Sequence, residues 1–411
     1  MIDFKPITFK DKKKEKVQRE AYDAWASNNY KGIIENATGT GKSRIATMAV
    51  QQHIDKNIVI VVPKIDIMEQ IYDELLTQLN IKAGRIGGGH STIDDRTAKI
   101  KICIINSIRE TKFDADLLIM DECHRIPSPH NIRFLQNGQF KKILGLTATA
   151  VRQDGAHTTL FKYAPIVFKF PQSIAIEEGL LAGFDLVYIK TPLNYEERSL
   201  YNEVDSKARQ LFSEHFSNDF NALQNATKNG YGVTRALARE LMTLFSRRKS
   251  IVHNTEKKVK CVGEIIKYES QDDPHTLPKT IVFCEFKKTL VLIVKDLKEW
   301  GIDAVQYHSG MRDKRKKEML EKFKSGECRV MVAVKSLDEG TDVPDAELAI
   351  ITSGTSVKRQ AIQRVGRVLR TYGEGKTAKV YVAYTNETKD EDWTSKATAE
   401  LKNNAQNVSW I

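Results

Sequence analysis

The sequence predicts an α/β protein: two parallel-sheet domains in tandem, with a helical insertion between them. Three observations predict this. Apolar runs of strand length recur before about residue 150 and again after Pro278, helical patterns alternate with them, and from about Tyr195 to Lys267 the strand signal fades. Strands buried on both faces read as continuous apolar runs, and their alternation with helices makes the sheet parallel.

The first set of strands is GIIEN, NIVIVVP, KICIIN, DLLIMDE and KILGLTAT, each ending in polar or small residues. KSRIATMAVQQHI and IDIMEQIYDELLTQL, which follow the first and second of these, have helical spacing. The second set is KTIVFCE, GIDAVQYHSG, CRVMVAV, ELAIITS and KVYVAYT, with KKTLVLIVKDLKEW, RDKRKKEMLEKFKSG and VKRQAIQRVGRVL as helices between them. In the insertion, YEERSLYNEVDSKARQLFSEHF and TRALARELMTLFSRRKSIVHNTEKKVKCVGEIIKY are expected as amphipathic helices. SNDFNALQNATKNGYG is expected as a polar loop and ESQDDPHTLPK as a surface linker. The expected domains are residues 1–190, 191–277 and 278–411.

With 41% hydrophobic and 28% charged residues the chain can bury large cores. A formal net charge of +11 favours a polyanionic partner, although solubility alone would also account for it. Cys103, Cys123, Cys261, Cys284 and Cys328 are scattered and mostly set in apolar runs. They form no CxxC pair or zinc spacing, so they read as reduced core residues. The N-terminal MIDFKPITFKDKKKEK has no apolar signal core, and no run approaches the roughly 18 apolar residues of a membrane span. The expectation is a soluble cytoplasmic protein with no membrane partner.

Chemistry concentrates at the carboxyl ends of the strands, where open α/β sheets bind ligands. In NATGTGKS, Gly39 and Gly41 let the backbone of the loop Thr38–Ser43 approach anionic oxygens at a helix N-terminus. Lys42 then reaches the β- and γ-phosphates of a nucleotide, and Ser43 suits Mg²⁺. Asn36 stands where the GxxxxGK[ST] pattern has glycine. In LLIMDECH an apolar strand ends in two carboxylates: Asp121 suits outer-sphere Mg²⁺ binding, and Glu122 suits orienting the attacking water.

ATGTGKS, DECH, GLTAT and QRVGRVLR, in that order, resemble the motifs of superfamily 2 helicases. The likeness is greatest to the DNA-translocating group of restriction motor subunits, excision-repair helicases and phage branch-migration helicases. It implies two RecA-like domains, ATP and Mg²⁺ as cofactors, and ATP-driven 3′→5′ movement along one DNA strand. Gln18 is similar to a glutamine that reads adenine, although Val17 replaces the usual neighbouring aromatic. His124, Thr147 and Thr149 resemble residues that couple hydrolysis to movement, with Ala150 where proline is common. Pro63 and Lys64 in VVPK, Ser107, and His308 and Ser309 in YHSGM resemble strand contacts. In SLDEGTDVPDAEL, Gly340 and Asp342 resemble nucleotide-lining residues. Gln363 is placed near the γ-phosphate, with Arg367 and Arg370 as arginine fingers on the transferring phosphoryl. Ile104 and Val334 stand where the family has phosphate-binding threonines, which leaves Ser107, Lys335, Ser336 and backbone amides to make those contacts.

The basic runs Arg247–Lys260 and Arg312–Lys324 read either as solvated helix faces or as further phosphate contacts. Trp300 and Trp393 read as core packing or as stacking wedges. The expected substrate is forked or branched DNA in replication, recombination or repair, handled by a monomer with replication, repair or nuclease partners. An RNA helicase, or a motor subunit serving a separate nuclease, remains the alternative.

Overall fold

The computed structural model describes residues 9, 11–109, 111–152, 154–271, 273, 276–334, 346–352 and 377–411. The chain divides into two compact units, one running through Ala182 and the other starting at Gly183.

The first unit holds seven strands: β1 (Lys31–Asn36), β2 (Ile58–Val62), β3 (Gly84–Ile86), β4 (Ile100–Ile104), β5 (Asp114–Asp121), β6 (Gln139–Thr147) and β7 (Ile166–Phe170). All pair in parallel, in the order β3-β4-β2-β5-β6-β1-β7. The side-chain period of two sorts each strand between two cores. Ile34, Ile58, Ile60, Ile119 and Leu144 face one layer, while Ile33, Val59, Val61, Leu118 and Met120 face the other. The first layer is covered by α1 (Lys12–Ser27), α2 (Lys42–Gln52) and α3 (Ile65–Leu79). α1, absent from the sequence expectation, starts on an Asp11 cap and is pinned by Trp25, whose indole donates to the Ile143 carbonyl at 2.8 Å.

The second unit also holds seven parallel strands: β8 (Phe184–Lys190), β9 (Thr280–Cys284), β10 (Ala304–His308), β11 (Val330–Val334), β12 (Leu348–Ile351), β13 (Ala378–Tyr384) and β14 (Asn407–Trp410). Their order is β10-β11-β9-β12-β13-β8-β14. Expected at the end of the first domain, residues 184–190 instead lie between β13 and β14 of this sheet. Parallel pairing at such sequence separation leaves no local trace.

The helical stretch belongs to the second unit. It comprises α4 (Tyr195–Phe216), α5 (Phe220–Asn229), α6 (Gly232–His253) and α7 (Glu256–Glu269). The expected polar loop is corrected, because α5 occupies it. Asp219 caps α5, and Leu223 and Ala226 bury on α4 and α6 beside Val204, Ala208, Leu241 and Leu244. A stripe this narrow supports a helix only once tertiary packing is added.

Half of the cations in the Arg247–Lys260 run turn inward, while Arg247, Lys257 and Lys260 stay exposed. Arg248 bonds Asp205 at 2.6 Å, Lys249 bonds Glu285 at 2.9 Å, and the fully buried Lys258 bonds Asp390 at 2.6 Å. These cations are structural rather than a solvated face. Trp393 stacks on His253, and Trp300 lies under the Lys267 ammonium, so both indoles pack within the unit. All five cysteines are free and buried. Among the described residues no helix is long and apolar enough to cross a membrane.

Candidate nucleotide site and strand track

β1 delivers the chain to the Ala37–Gly41 loop, and α2 begins at Lys42. The turn is held by its own groups: Thr40 Oγ1 donates to Ala37 O at 2.8 Å, and Lys42 Nζ donates to Asn36 O at 3.1 Å. Gly41 has φ +90°, and a Cβ there would meet Gln18 Nε2 at 2.2 Å, so both conformation and space require glycine. Gln18 is buried against the loop, its amide nitrogen donating to Thr40 O at 2.8 Å while Oε1 has no partner. That oxygen is the acceptor an exocyclic amine would need. Asn36 is fully buried, and neither atom of its amide has a hydrogen-bond partner. The glycine replacement thus lies beneath the loop, away from the phosphate-facing positions Thr38 to Ser43, most of which stay partly exposed.

β5 ends at Asp121, with β6 separating it from β1. Burial and the charge of Glu122 push the Asp121 carboxyl well up, against the pull of Lys42. Burial acts the same way on Glu122, but the hydrogen bond and charge of His124, with Lys42 and Arg125, outweigh it and hold that carboxyl low. Lys42 therefore acts electrostatically on both carboxylates, which ties the loop to the strand end. Glu122 sits at φ 47°, ψ 48°, a left-handed conformation uncommon for a side chain of this kind.

The turn Cys123–Arg125 follows, and its His124 is buried. Its Nδ1 lies 3.2 Å from Glu122 Oε2 and 2.9 Å from Thr147 Oγ1 at the end of β6. Thr147 Oγ1 in turn accepts from Thr149 N at 3.1 Å. The structure thus brings Glu122, His124, Thr147 and Thr149 into one chain of contacts.

On the neighbouring strand ends, Pro63 is buried and Lys64 precedes the first turn of α3 without a side-chain cap bond. Ser107 is exposed after β4, whose terminal Ile104 is buried. The residues between β3 and the next helix join these. Gly87, Gly88 and Gly89 all have positive φ and close a turn through Gly87 N to His90 O at 2.9 Å. A Cβ on Gly87 would meet Ser107 Oγ at 2.5 Å, and one on Gly88 would meet Ile65 at 2.8 Å. This glycine turn, overlooked in the motif reading, packs against the expected strand contact Ser107 and against Ile65, the neighbour of Lys64. The run RIGGGH was its signal.

In the second unit His308 ends β10 and accepts from Gly310 N at 3.1 Å, while Ser309 is exposed. Burial, then the charges of Lys287 and Lys316, hold His308 below its ordinary value. After α8 (Lys287–Glu299), Lys316 stands on α9 (Asp313–Ser325). That helix buries only Phe323, so the second basic run is indeed a surface face. Lys335, Ser336, Gly340, Asp342, Gln363, Arg367 and Arg370 lie outside the described residues.

Residues 11–152 match the family of the type III restriction enzyme res subunit, and residues 257–372 match the helicase conserved C-terminal domain. The chain is 31% identical over 360 residues to the DNA 3′-5′ translocase XPB2 of Sulfurisphaera tokodaii, covering 86% of this chain and 77% of that protein. The chain belongs to the superfamily 2 DNA helicases and translocases. It is also 24% identical over 390 residues to the DNA 3′-5′ helicase XPB of Kineococcus radiotolerans, covering 92% of this chain but 60% of that longer helicase. The helicase domain of Pyrococcus furiosus Hef shares the fold, with a TM-score of 0.58 at 17% identity over 92% of this chain and 96% of that one. The two parallel sheets are thus the tandem RecA-like domains of a superfamily 2 helicase.

Proposed function

We propose that this helicase-family chain is an ATP-driven DNA translocase, moving 3′→5′ along one strand and opening forked or branched duplexes. The observation that carries the reading is the joint placement of Lys42 with Asp121 and Glu122, a phosphate-binding cation acting on two half-buried carboxylates.

ATP is the substrate of the loop Thr38–Ser43. Backbone N–H groups at the start of α2 bind its phosphates and Lys42 neutralises them, while Gln18 offers Oε1 to the adenine amine. The hydroxyl of Ser43 and the carboxylate of Asp121 are hard oxygen donors of the kind Mg²⁺ takes, and the raised Asp121 carboxyl is the group a cation would compensate. Bound there, Mg²⁺ supplies charge neutralisation on the phosphates. Glu122, kept ionised, orients the attacking water. His124 links Glu122 to the Thr147–Thr149 turn, so a change at the γ-phosphate is felt at the end of β6. Arg367, Arg370, Gln363, Gly340 and Asp342 complete this chemistry by family resemblance.

The strand track in the first unit consists of Lys64, Ser107 and the amides of the Gly87–Gly89 turn, with Pro63 beneath. In the second it consists of His308, Ser309, Lys335 and Ser336. Contacts of this kind bind backbone, so affinity is sequence-independent and sensitive to salt. Branched substrates are favoured by the turn between α5 and α6, where Tyr231 and Val233 are 87% and 74% exposed. Residues 220–239 there carry Lys228, Arg235 and Arg239 and no acid, a surface suited to stacking on unpaired bases.

The test is ATP turnover with matched single-stranded DNA and RNA, in the wild type and in Lys42→Ala. Stimulation by DNA, lost in the variant, is expected. Preferential stimulation by RNA would favour the RNA-helicase alternative, and turnover undiminished in Lys42→Ala would overturn the assignment of the loop.

A further inference from the structure

The turn that carries His124 is a single helical turn, and its carbonyls must find partners. Glu122 O and Cys123 O are met within the turn, by Arg125 N and Ile126 N at 3.0 Å each. Beyond them the helix has ended, and the next carbonyls have no helical donor. Side chains take over. Asn131 Nδ2 donates to Arg125 O at 3.2 Å, and Asn131 is itself held by Arg109 Nε at 2.7 Å. Arg152 Nη1 donates to His124 O at 2.9 Å.

Arg152 lies just beyond the Thr147–Thr149 turn and belongs to none of the motifs above. Its guanidinium is fixed from behind: Nε donates to Asp154 Oδ1 at 2.9 Å, and Nη2 meets the other carboxylate oxygen. Asp154 is anchored in its turn by Ala156 N at 3.2 Å. The fork-to-fork pair spends two donors on the carboxylate and leaves Nη1 directed at the backbone of the DECH segment. Lysine, with a single ammonium on a flexible stem, cannot reproduce that division of donors.

We propose that Arg152, braced by Asp154, is a positioning residue for ATP hydrolysis. It clamps the His124 carbonyl, which fixes the turn and keeps Glu122 in its left-handed conformation with His124 Nδ1 on both Glu122 and Thr147. A non-glycine residue in that conformation persists only when its surroundings over-determine it, and Arg152 braces the turn from outside at His124 O, as Asn131 does at Arg125 O. The same clamp ties the segment after Thr149 to the hydrolytic carboxylate, so the two move as one body. The inference rests on Glu122 orienting the attacking water.

The full-length chain is assayed for steady-state ATP hydrolysis at saturating single-stranded DNA. Arg152→Ala is expected to lower kcat about 10- to 100-fold, the scale of a misplaced catalytic group, with KM for ATP changed less than about twofold. Low-millimolar guanidinium chloride should restore part of the lost rate, whereas equal sodium chloride or urea should not. Arg152→Lys should recover less than the added guanidinium does. Asp154→Asn should give a smaller loss that adds nothing in the double variant. A wild-type kcat in Arg152→Ala, or a loss of rate that guanidinium does not relieve, overturns the inference. If Arg152→Ala does not fold, Asp154→Asn decides, and full activity there overturns it. Glu122→Gln separates the two readings. Turnover retained in Glu122→Gln overturns the role of Glu122, while turnover lost there but kept in Arg152→Ala overturns only the brace.

Discussion

Two charge clusters stand in contrast, one half-buried in the first unit and one buried in the second. In the first unit Asp121 and Glu122 are adjacent like charges, and Lys42 is the shared cation that acts on both. In the second unit the buried charges are matched: Lys258 with Asp390, Arg248 with Asp205. Like charges held together in a protein interior raise each other's energy and persist where chemistry uses them. Matched pairs offset their own desolvation and, once formed, serve to fix a packing arrangement. The difference separates a site from a scaffold, and each cluster should fail differently when broken.

The largest effect should come from the site. Lys42→Ala is expected to reduce DNA-stimulated ATP turnover about a thousandfold, with thermal stability changed by less than about 1 kcal/mol, because Lys42 is partly exposed and its ammonium bonds the Asn36 carbonyl at the end of β1. In the scaffold, Lys258→Met should cost about 3–5 kcal/mol of unfolding free energy by leaving the Asp390 carboxylate buried without a cation, with only the Thr385 N–H on it. Replacing both partners with apolar residues should recover much of that loss. Urea unfolding measures both. Equal destabilisation by Lys42→Ala and Lys258→Met would erase the distinction.

A smaller effect depends on pH. Burial, opposed by Asp390 and reinforced by Lys258 and Lys249, holds His253 down at about 4 from an ordinary 6.5. The unfolded chain then binds the proton that the folded chain refuses. Stability is therefore full above pH 6.5 and falls as pH drops towards 4, by about 3 kcal/mol if the shift is wholly expressed. His253→Phe, which keeps a ring against Trp393, should flatten that part of the profile. An unchanged slope would remove His253 from the account.

The smallest effect separates the two basic runs. Arg315→Ala or Lys317→Ala, on the surface face, should weaken single-stranded DNA binding a few-fold and reduce the salt slope by about one. Arg248→Ala, paired inward, should lower stability and leave the salt slope alone. Equal salt slopes in both sets would contradict their different orientation.

Much of the site was legible because its chemistry demands particular residues at fixed spacing. The Gly-Lys-Ser loop, DECH and TAT each fell at a strand end as expected. Five strands of each sheet were legible as apolar runs, but β3 has only three residues and β8 finds its partners far along the chain. α5 was hidden because its buried stripe is two residues wide. The inward cations of Arg247–Lys260 were hidden for another reason: a basic run reads alike whether it faces water or a carboxylate more than a hundred residues away, as Lys258 does. Arg152 was hidden because, beyond its local pair with Asp154, the group it reaches is a backbone carbonyl, which carries no side-chain signal.

The most direct test of the central claim separates ATP binding from turnover in Glu122→Gln. The account predicts wild-type affinity for ATP, because the loop Thr38–Ser43 is untouched, and turnover on single-stranded DNA lowered at least about a hundredfold. Turnover near the wild-type rate would show that the Asp121–Glu122 carboxylate pair is not the hydrolytic centre.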